Sequence, residues 1–210
     1  MNLSKNVLLL SVLVNGVLLV SNANAKDPEI SYSYVQGGYV WLDGDDDIVP
    51  GVDGDGDGWA VSGSAAIHPN IFLIAGYSKV DLDDVNVDIK TWDVGIGGNY
   101  TVAEKTSIYA TAAYADGKAE GYGESIDENG YALGAGVRYM LVTDFIRASV
   151  LDGIEFEGSI DYVDFDDIGD DTSFSAGVLF HVNSFVGLGV QGSWGDDANT
   201  YVAGIRFTID

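Results

Sequence analysis

The stretch Gly130-Tyr131-Ala132-Leu133-Gly134-Ala135-Gly136-Val137-Arg138-Tyr139-Met140-Leu141 alternates large and small side chains with a period of two. Tyr131, Leu133, Ala135, Val137, Tyr139 and Leu141 share one face, and Ala132, Gly134, Gly136 and Arg138 take the other. A period of two is the signature of a β-strand with two unlike surroundings. Ile154–Asp164 repeats it, with Ile154, Phe156, Ile160 and Tyr162 opposing Glu155, Glu157, Ser159 and Asp161. Thr200–Ile209 sets Tyr201, Ala203, Ile205, Phe207 and Ile209 against Gly204, Arg206 and Thr208.

The remaining strands follow by the same criteria: Ser31–Leu42, Trp59–Ile67, Ile71–Val80, Ile89–Thr101, Ser107–Ala115, Ser173–Val182 and Val186–Trp194. Ten segments result, each near the roughly 9–11 residues that a tilted strand needs to cross a bilayer. The first and third have apolar residues on both faces, so their orientation stays open.

The polarity of the two faces selects the class. A soluble ligand-binding barrel turns its apolar face inward, and a membrane barrel turns it outward. Here the less apolar face is mostly Gly, Ser, Ala and Thr, which suits a narrow interior. The apolar face carries aromatics near strand ends: Trp92 and Tyr100, Tyr131 and Tyr139, Phe174 and Phe180, Tyr201 and Phe207. Two such girdles mark the interfaces of a lipid-facing barrel. The expectation is an all-β, antiparallel up-and-down transmembrane barrel of ten strands, standing as a monomer in the lipid of a bacterial outer membrane. A soluble periplasmic ligand-binding barrel is the less favoured alternative.

Acidic residues sort by connection. The odd connections Asp43–Gly58, Asp81–Asp88, Asp116–Asn129, Asp164–Asp171 and Gly195–Asn199 hold 23 of the 33 Asp and Glu residues. The even connections hold only Glu104, Asp144 and Asp152. In a meander the odd connections share one end of the barrel, so the acids gather at one end, read as the outer one. Most even connections are short, as periplasmic turns are. Val142–Gly153 is longer and is read as a small helix or irregular turn.

Residues 1–25 read as a cleaved export signal, leaving a barrel over 26–210. Lys5 precedes the apolar run Val7–Val14, and Ala23-Asn24-Ala25 has the small-x-small form of a cleavage site. The apolar run is too short for a membrane helix.

Composition removes several functions. The net charge is −24 in 210 residues, so no basic surface for nucleic acid is available. With no cysteine, thiolate catalysis and Cys-ligated zinc are excluded. His68 and His181 both fall at the even end, away from the acidic connections, which disfavours a protease or lipase centre. The chain is read as non-enzymatic, without a resident cofactor.

Two features invite a site. Asp53-Gly54-Asp55-Gly56-Asp57-Gly58 matches the first half of a calcium loop, but the position of its bidentate Glu is Ser64. Asp53, Asp55 and Asp57 are therefore candidates for weak Ca²⁺ binding, set against a solvated acidic loop. Lipopolysaccharide and divalent cations are the matching surface partners. The inward charges Asp93, Arg138, Glu155, Glu157, Asp161 and Arg206 are the second feature. A charge in a narrow lumen needs a partner, so they are read as a structural network that plugs it, or else as the constriction of a small-solute channel. The small side chain at Gly136 is expected to be replaceable by Ser.

Tyr34-Val35-Gln36-Gly37-Gly38-Tyr39-Val40 and Gly58–Asn70, running into Ile74-Ala75-Gly76-Tyr77-Ser78, resemble a family of small proteobacterial outer-membrane barrels once described as sulfation-dependent quorum factors. The strand-and-turn pattern is also similar to outer membrane protein A-like barrels. The resemblance implies an outer-membrane β-barrel and supplies no catalytic residue. Chains of this kind often end in Phe, whereas this one ends Phe207-Thr208-Ile209-Asp210.

Overall fold

A computed structural model describes residues 30–44, 54–83, 86–143, 146, 151–166, 169–196 and 198–209. The expected export signal over 1–25, Asp53 and half of the sixth connection lie outside them. Alternating sequence becomes ten strands: β1 Tyr34–Gly44, β2 Gly56–His68, β3 Ile71–Leu82, β4 Val87–Ala103, β5 Thr106–Gly121, β6 Glu124–Leu141, β7 Gly153–Phe165, β8 Gly169–His181, β9 Val186–Trp194 and β10 Ala198–Thr208. Each pairs antiparallel with its sequence neighbours, and β1 pairs with β10 to close the barrel. Closure leaves no strand edge unpaired, which is what a hydrocarbon surround requires.

The outward face is apolar. Val35, Trp59, Leu73, Val94, Ile96, Leu133, Val137, Ile160, Val190 and Ile205 are all exposed. Such a surface would aggregate in water and matches lipid. At the end carrying the long connections, aromatic rings touch from strand to strand: Trp59 with Tyr77, Trp92 with Tyr114, Tyr131 with Tyr162, and Phe174 with Trp194.

The inward face has three layers. Near the long connections, Val40, Leu42, Val80, Leu82, Val87, Ile89, Ala119 and Ala198 form a buried apolar cluster. Ala115, Val163 and Phe165 form another. Inward apolar residues at both ends of the bore explain why the first and third strands look apolar on both faces: Val40, Leu42, Val80 and Leu82 point into this layer, and Phe72 and Ile74 into the one at the other end. Near the short connections, Tyr32, Tyr34, Phe72, Ile74 and Tyr109 pack together. Hydroxyls and carboxylates line the zone between these clusters, while Arg138, Glu155, His181 and Arg206 stand at the level of the tyrosines, near the short connections.

Several boundaries differ from those read in the sequence. The fifth connection, Asp116–Asn129, is not an extended loop. β5 and β6 continue through it and meet at Tyr122-Gly123, where both residues have positive φ (55° and 81°). Positive φ at both central positions is the type I′ hairpin geometry, whose twist matches that of the strands. β2 likewise begins at Gly56 and so takes in Asp57. At the other end, Ser31–Ser33 is not part of β1. It turns into the lumen, where the Tyr32 ring stacks on Phe72 at 4.8 Å and the Tyr32 hydroxyl meets Ser107 Oγ at 2.8 Å.

Candidate functional site: a charge network in the lumen

Arg138 on β6 and Glu155 on β7 both point inward from neighbouring strands and are fully buried. Arg138 Nη2 donates directly to Glu155 Oε1. The same oxygen lies 3.9 Å from Arg206 Nη1, and Glu155 Oε2 lies 3.3 Å from His181 Nε2. Glu155 is thus the hub of two guanidinium groups and one imidazole.

Arg206 extends the chain to the far wall. Its Nε and Nη2 donate to Gln36 Oε1 at 3.1 and 2.9 Å, and Gln36 Nε2 donates to Ser62 Oγ at 2.9 Å. Gln36 and Arg206 are register partners on β1 and β10. Two tyrosines cap the cations: the Tyr32 ring lies 5.5 Å from the Arg138 guanidinium, and the Tyr34 ring 4.8 Å from that of Arg206. Arg138 Nη1 also donates to the Ser31 carbonyl at 3.4 Å. The connected path therefore runs across the barrel from β2 to β6.

The six expected lumen charges do not form one network. Arg138, Glu155 and Arg206 come together. Glu157 accepts from Tyr109 Oη at 2.6 Å instead of pairing with a cation directly. Asp161 is held by hydroxyls, accepting from Ser159 at 2.8 Å and Ser175 at 3.5 Å. Asp93 is not joined to the others, and its Oδ1 is buried without a hydrogen-bond partner. Neutral donors can satisfy these carboxylates because serines ring the lumen: Ser175 also bonds Ser193 across β8 and β9.

Gln36, Tyr32, Tyr34 and Tyr109 are not among the expected lumen residues, and His181 is expected only as a barrel-end histidine. Tyr109 had a legible signal, since its register partner is Gly136 and an inward ring needs a glycine opposite. Tyr32 had none, because it lies before the first strand.

The glycines determine how the rings lie. A Cβ on Gly97 would overlap the Phe72 ring, and one on Gly136 would stand 2.5 Å from Tyr109 Cζ and Oη. The expected tolerance of Ser at Gly136 is corrected accordingly.

Of the calcium candidates, Asp53 lies outside the described residues. Asp57 sits in β2 on the outward face and accepts from the Tyr39 hydroxyl. The Asp55 carbonyl accepts from the Asp83 amide at 3.0 Å. Among the described residues, no three or more His, Asp or Glu side chains converge as a metal centre. His68 and His181 both stand at the end of the short connections, as the sequence implied.

The family model described as outer membrane protein beta-barrel domain matches residues 10–181. No curated protein matches the chain. Among solved structures, the NanC porin aligns at 10% identity and TM-score 0.51, covering 84% of this chain and 100% of its own. Neisserial surface protein A aligns at 11% and 0.45, covering 84% and 96%. Ail, the attachment invasion locus protein of Yersinia pestis, aligns at 15% and 0.38, covering 83% and 97%. At these identities the likeness is one of fold.

Proposed function

Because this chain belongs to the outer membrane protein beta-barrel family, we propose that it is a sealed, non-enzymatic barrel of the bacterial outer membrane with an acidic outer rim for surface interaction. The buried Arg138–Glu155–Arg206 cluster carries the reading. Three ionised groups without solvent access, bonded from wall to wall, serve to brace and fill the lumen. The apolar layer around Val40, Val80 and Ile89 supports the same conclusion, because it offers ions no solvation in its part of the bore. The likeness of Tyr34–Val40 and Gly58–Ser78 to the former quorum-factor group supports a place within that group.

The long, acid-rich connections are assigned to the cell exterior. Weak divalent binding at Asp53, Asp55 and Asp57 belongs to the same surface role. A narrow small-solute channel is the second reading. It is favoured by Glu157 Oε2 and Asp93 Oδ1, buried oxygens without hydrogen-bond partners, which water in a bore would satisfy.

Planar-bilayer recording on the purified barrel decides between them. The sealed barrel gives no discrete conductance steps. Steps whose ion selectivity changes in Arg138→Ala or Glu157→Gln would establish the channel.

A further inference from the structure

Lysine is scarce in this chain, which has only nine Lys and Arg residues. Lys79, Lys90 and Lys118 nevertheless stand side by side. Lys79 is the register partner of Lys90 across β3 and β4, and Lys90 that of Lys118 across β4 and β5. All three are on the outward face, in phase with Tyr77, Trp92 and Tyr114 on their own strands. Neighbouring strands lie about 4.8 Å apart, so three ammonium groups crowd into one short row. Like charges placed directly opposite destabilise a sheet, so the row needs anions.

The height of the row points to which anions. Two positions nearer the membrane, Tyr77 and Trp92 are themselves register partners in the aromatic girdle. Two positions farther out, Asp81, Asp88 and Glu120 form a second aligned row. The lysines thus occupy the layer between the apolar belt and the carboxylates, where lipid headgroups begin.

The carboxylates take part of the charge. Lys79 Nζ lies 2.6 Å from Asp81 and 3.3 Å from Asp88, Lys118 Nζ lies 2.8 Å from Glu120 and 3.8 Å from its register partner Asp127, and Lys90 also pairs with Glu120. The lysine side chains still remain 27–38% exposed.

The rest of the rim is different. Just beyond the girdle, other strands present Asp43, Asp57, Asn129 and Asp164 outward, and β9 leads into Asp196. Of the remaining described cations, Lys105 is in a short turn, and Arg138 and Arg206 are in the lumen. Among the described residues, this third of the rim is where an anionic headgroup can meet outward-facing cations, here beside the carboxylates that pair with them.

We infer that the Lys79–Lys90–Lys118 row is a docking site for the phosphate-bearing headgroup of an outer-leaflet glycolipid. Phosphates entering between the ammonium groups would replace the carboxylates as their counterions, while the acyl chains lie along the apolar wall below. The site orders an anionic lipid beside β3–β5 and leaves the acidic remainder of the rim free. The inference rests on the barrel standing in the outer membrane and not on its lumen being sealed.

The test is lipid retention. Barrels are reconstituted in phosphatidylcholine vesicles containing a bisphosphorylated glycolipid, extracted into mild detergent, and the bound glycolipid is counted by native mass spectrometry. Wild type is expected to retain it. Lys79→Gln/Lys90→Gln/Lys118→Gln should retain roughly a hundredfold less, and the corresponding triple Arg variant should behave as wild type. Lys105→Gln, in a short turn, should have no effect. Heat-modified gel migration verifies that each variant is folded. If the triple Gln variant does not fold, the single variants replace it, each with a loss of roughly fivefold. Equal retention by the Gln variants would overturn the site. So would equal retention of the same glycolipid stripped of its phosphates. Millimolar inorganic phosphate is the third arm: protection of the three lysines from acetylation as complete as that given by the glycolipid would mean a general anion site and overturn lipid docking.

Discussion

The ring of Tyr109 covers Gly136, its register partner across the β5–β6 ladder, and its hydroxyl donates to Glu157 on β7. One glycine therefore makes room for the ring that holds a buried carboxylate. Gly136→Ser should displace Tyr109 and strip Glu157 of its donor. Overpacking of this sort costs about 1–3 kcal/mol. Thermal unfolding followed by heat-modified gel migration should shift downward, and Gly136→Ser/Tyr109→Ala should recover part of the loss. A Gly136→Ser barrel as stable as wild type would mean that the ring is free to move.

Glu155 is bonded by Arg138 and lies beside His181 and Arg206, so removing one charge and removing the whole cluster should differ. Arg138→Ala leaves a buried carboxylate short of its nearest cation, at a cost of about 3–5 kcal/mol. Arg138→Met with Glu155→Leu and Arg206→Met removes all three charges and should cost much less, because apolar replacement of a whole buried ion cluster is often nearly neutral. Urea unfolding in detergent micelles measures both. Equal destabilisation by the single and triple variants would show that the three charges are not coupled.

The lipid-facing strands were legible because lipid and lumen impose opposite demands on successive residues. Val137, Ile160 and Ile205 lie on the face that alternation assigned them. The extension of β5 and β6 was missed because Asp116, Lys118, Glu120, Glu124 and Asp127 read as a polar loop. Their alternation continued underneath: Ala119 points into the apolar cluster, and Ile126 packs against it. The hub at Glu155 could be guessed from its sign and face, but Gln36, the partner of Arg206, could not. Gln36 meets Arg206 only through closure of β1 onto β10, a contact between opposite ends of the chain.

The extended hairpin carries its own titration. Glu120, at the outer end of β5, is held down to about 2 by hydrogen bonds from Lys118 and then Lys90. The folded value lies below the ordinary one of a free Glu, so the ion pairs contribute at neutral pH and are lost as pH falls through about 2. The group is exposed and the gain in stability small. Carbonyl-detected NMR should place its midpoint near 2, and Lys118→Gln should move it upward. An ordinary carboxylate midpoint in wild type would mean that the pairs do not persist in solution.

For the first acidic connection, Ca²⁺ should bind to Asp53, Asp55 and Asp57 only weakly, in the roughly 10⁻⁴–10⁻³ M range of extracellular modules. Asp57 is already engaged by Tyr39, which competes for one carboxylate oxygen. Calorimetric titration should show binding that Asp55→Asn/Asp57→Asn abolishes, with barrel melting unchanged. The same heats from Mg²⁺ would indicate charge screening, and the specific site would be withdrawn.

The orientation of the barrel can be read without cutting it, because the chain contains no cysteine. Tyr122 sits at the tip of the β5–β6 hairpin and is half exposed, while Ser184 is exposed in the short turn between β8 and β9. The two mark opposite ends, since β5–β6 is an odd connection and β8–β9 an even one. Tyr122 has positive φ and already carries a Cβ there, so Cys adds no new backbone strain. Tyr122→Cys should therefore fold, and a membrane-impermeant maleimide added to intact cells should label it. Ser184→Cys should react only after the outer membrane is permeabilised. Labelling of Ser184→Cys alone on intact cells would invert the barrel. It would also turn the acidic rim and the lysine row toward the periplasm, and so withdraw the surface role together with the outer-leaflet site.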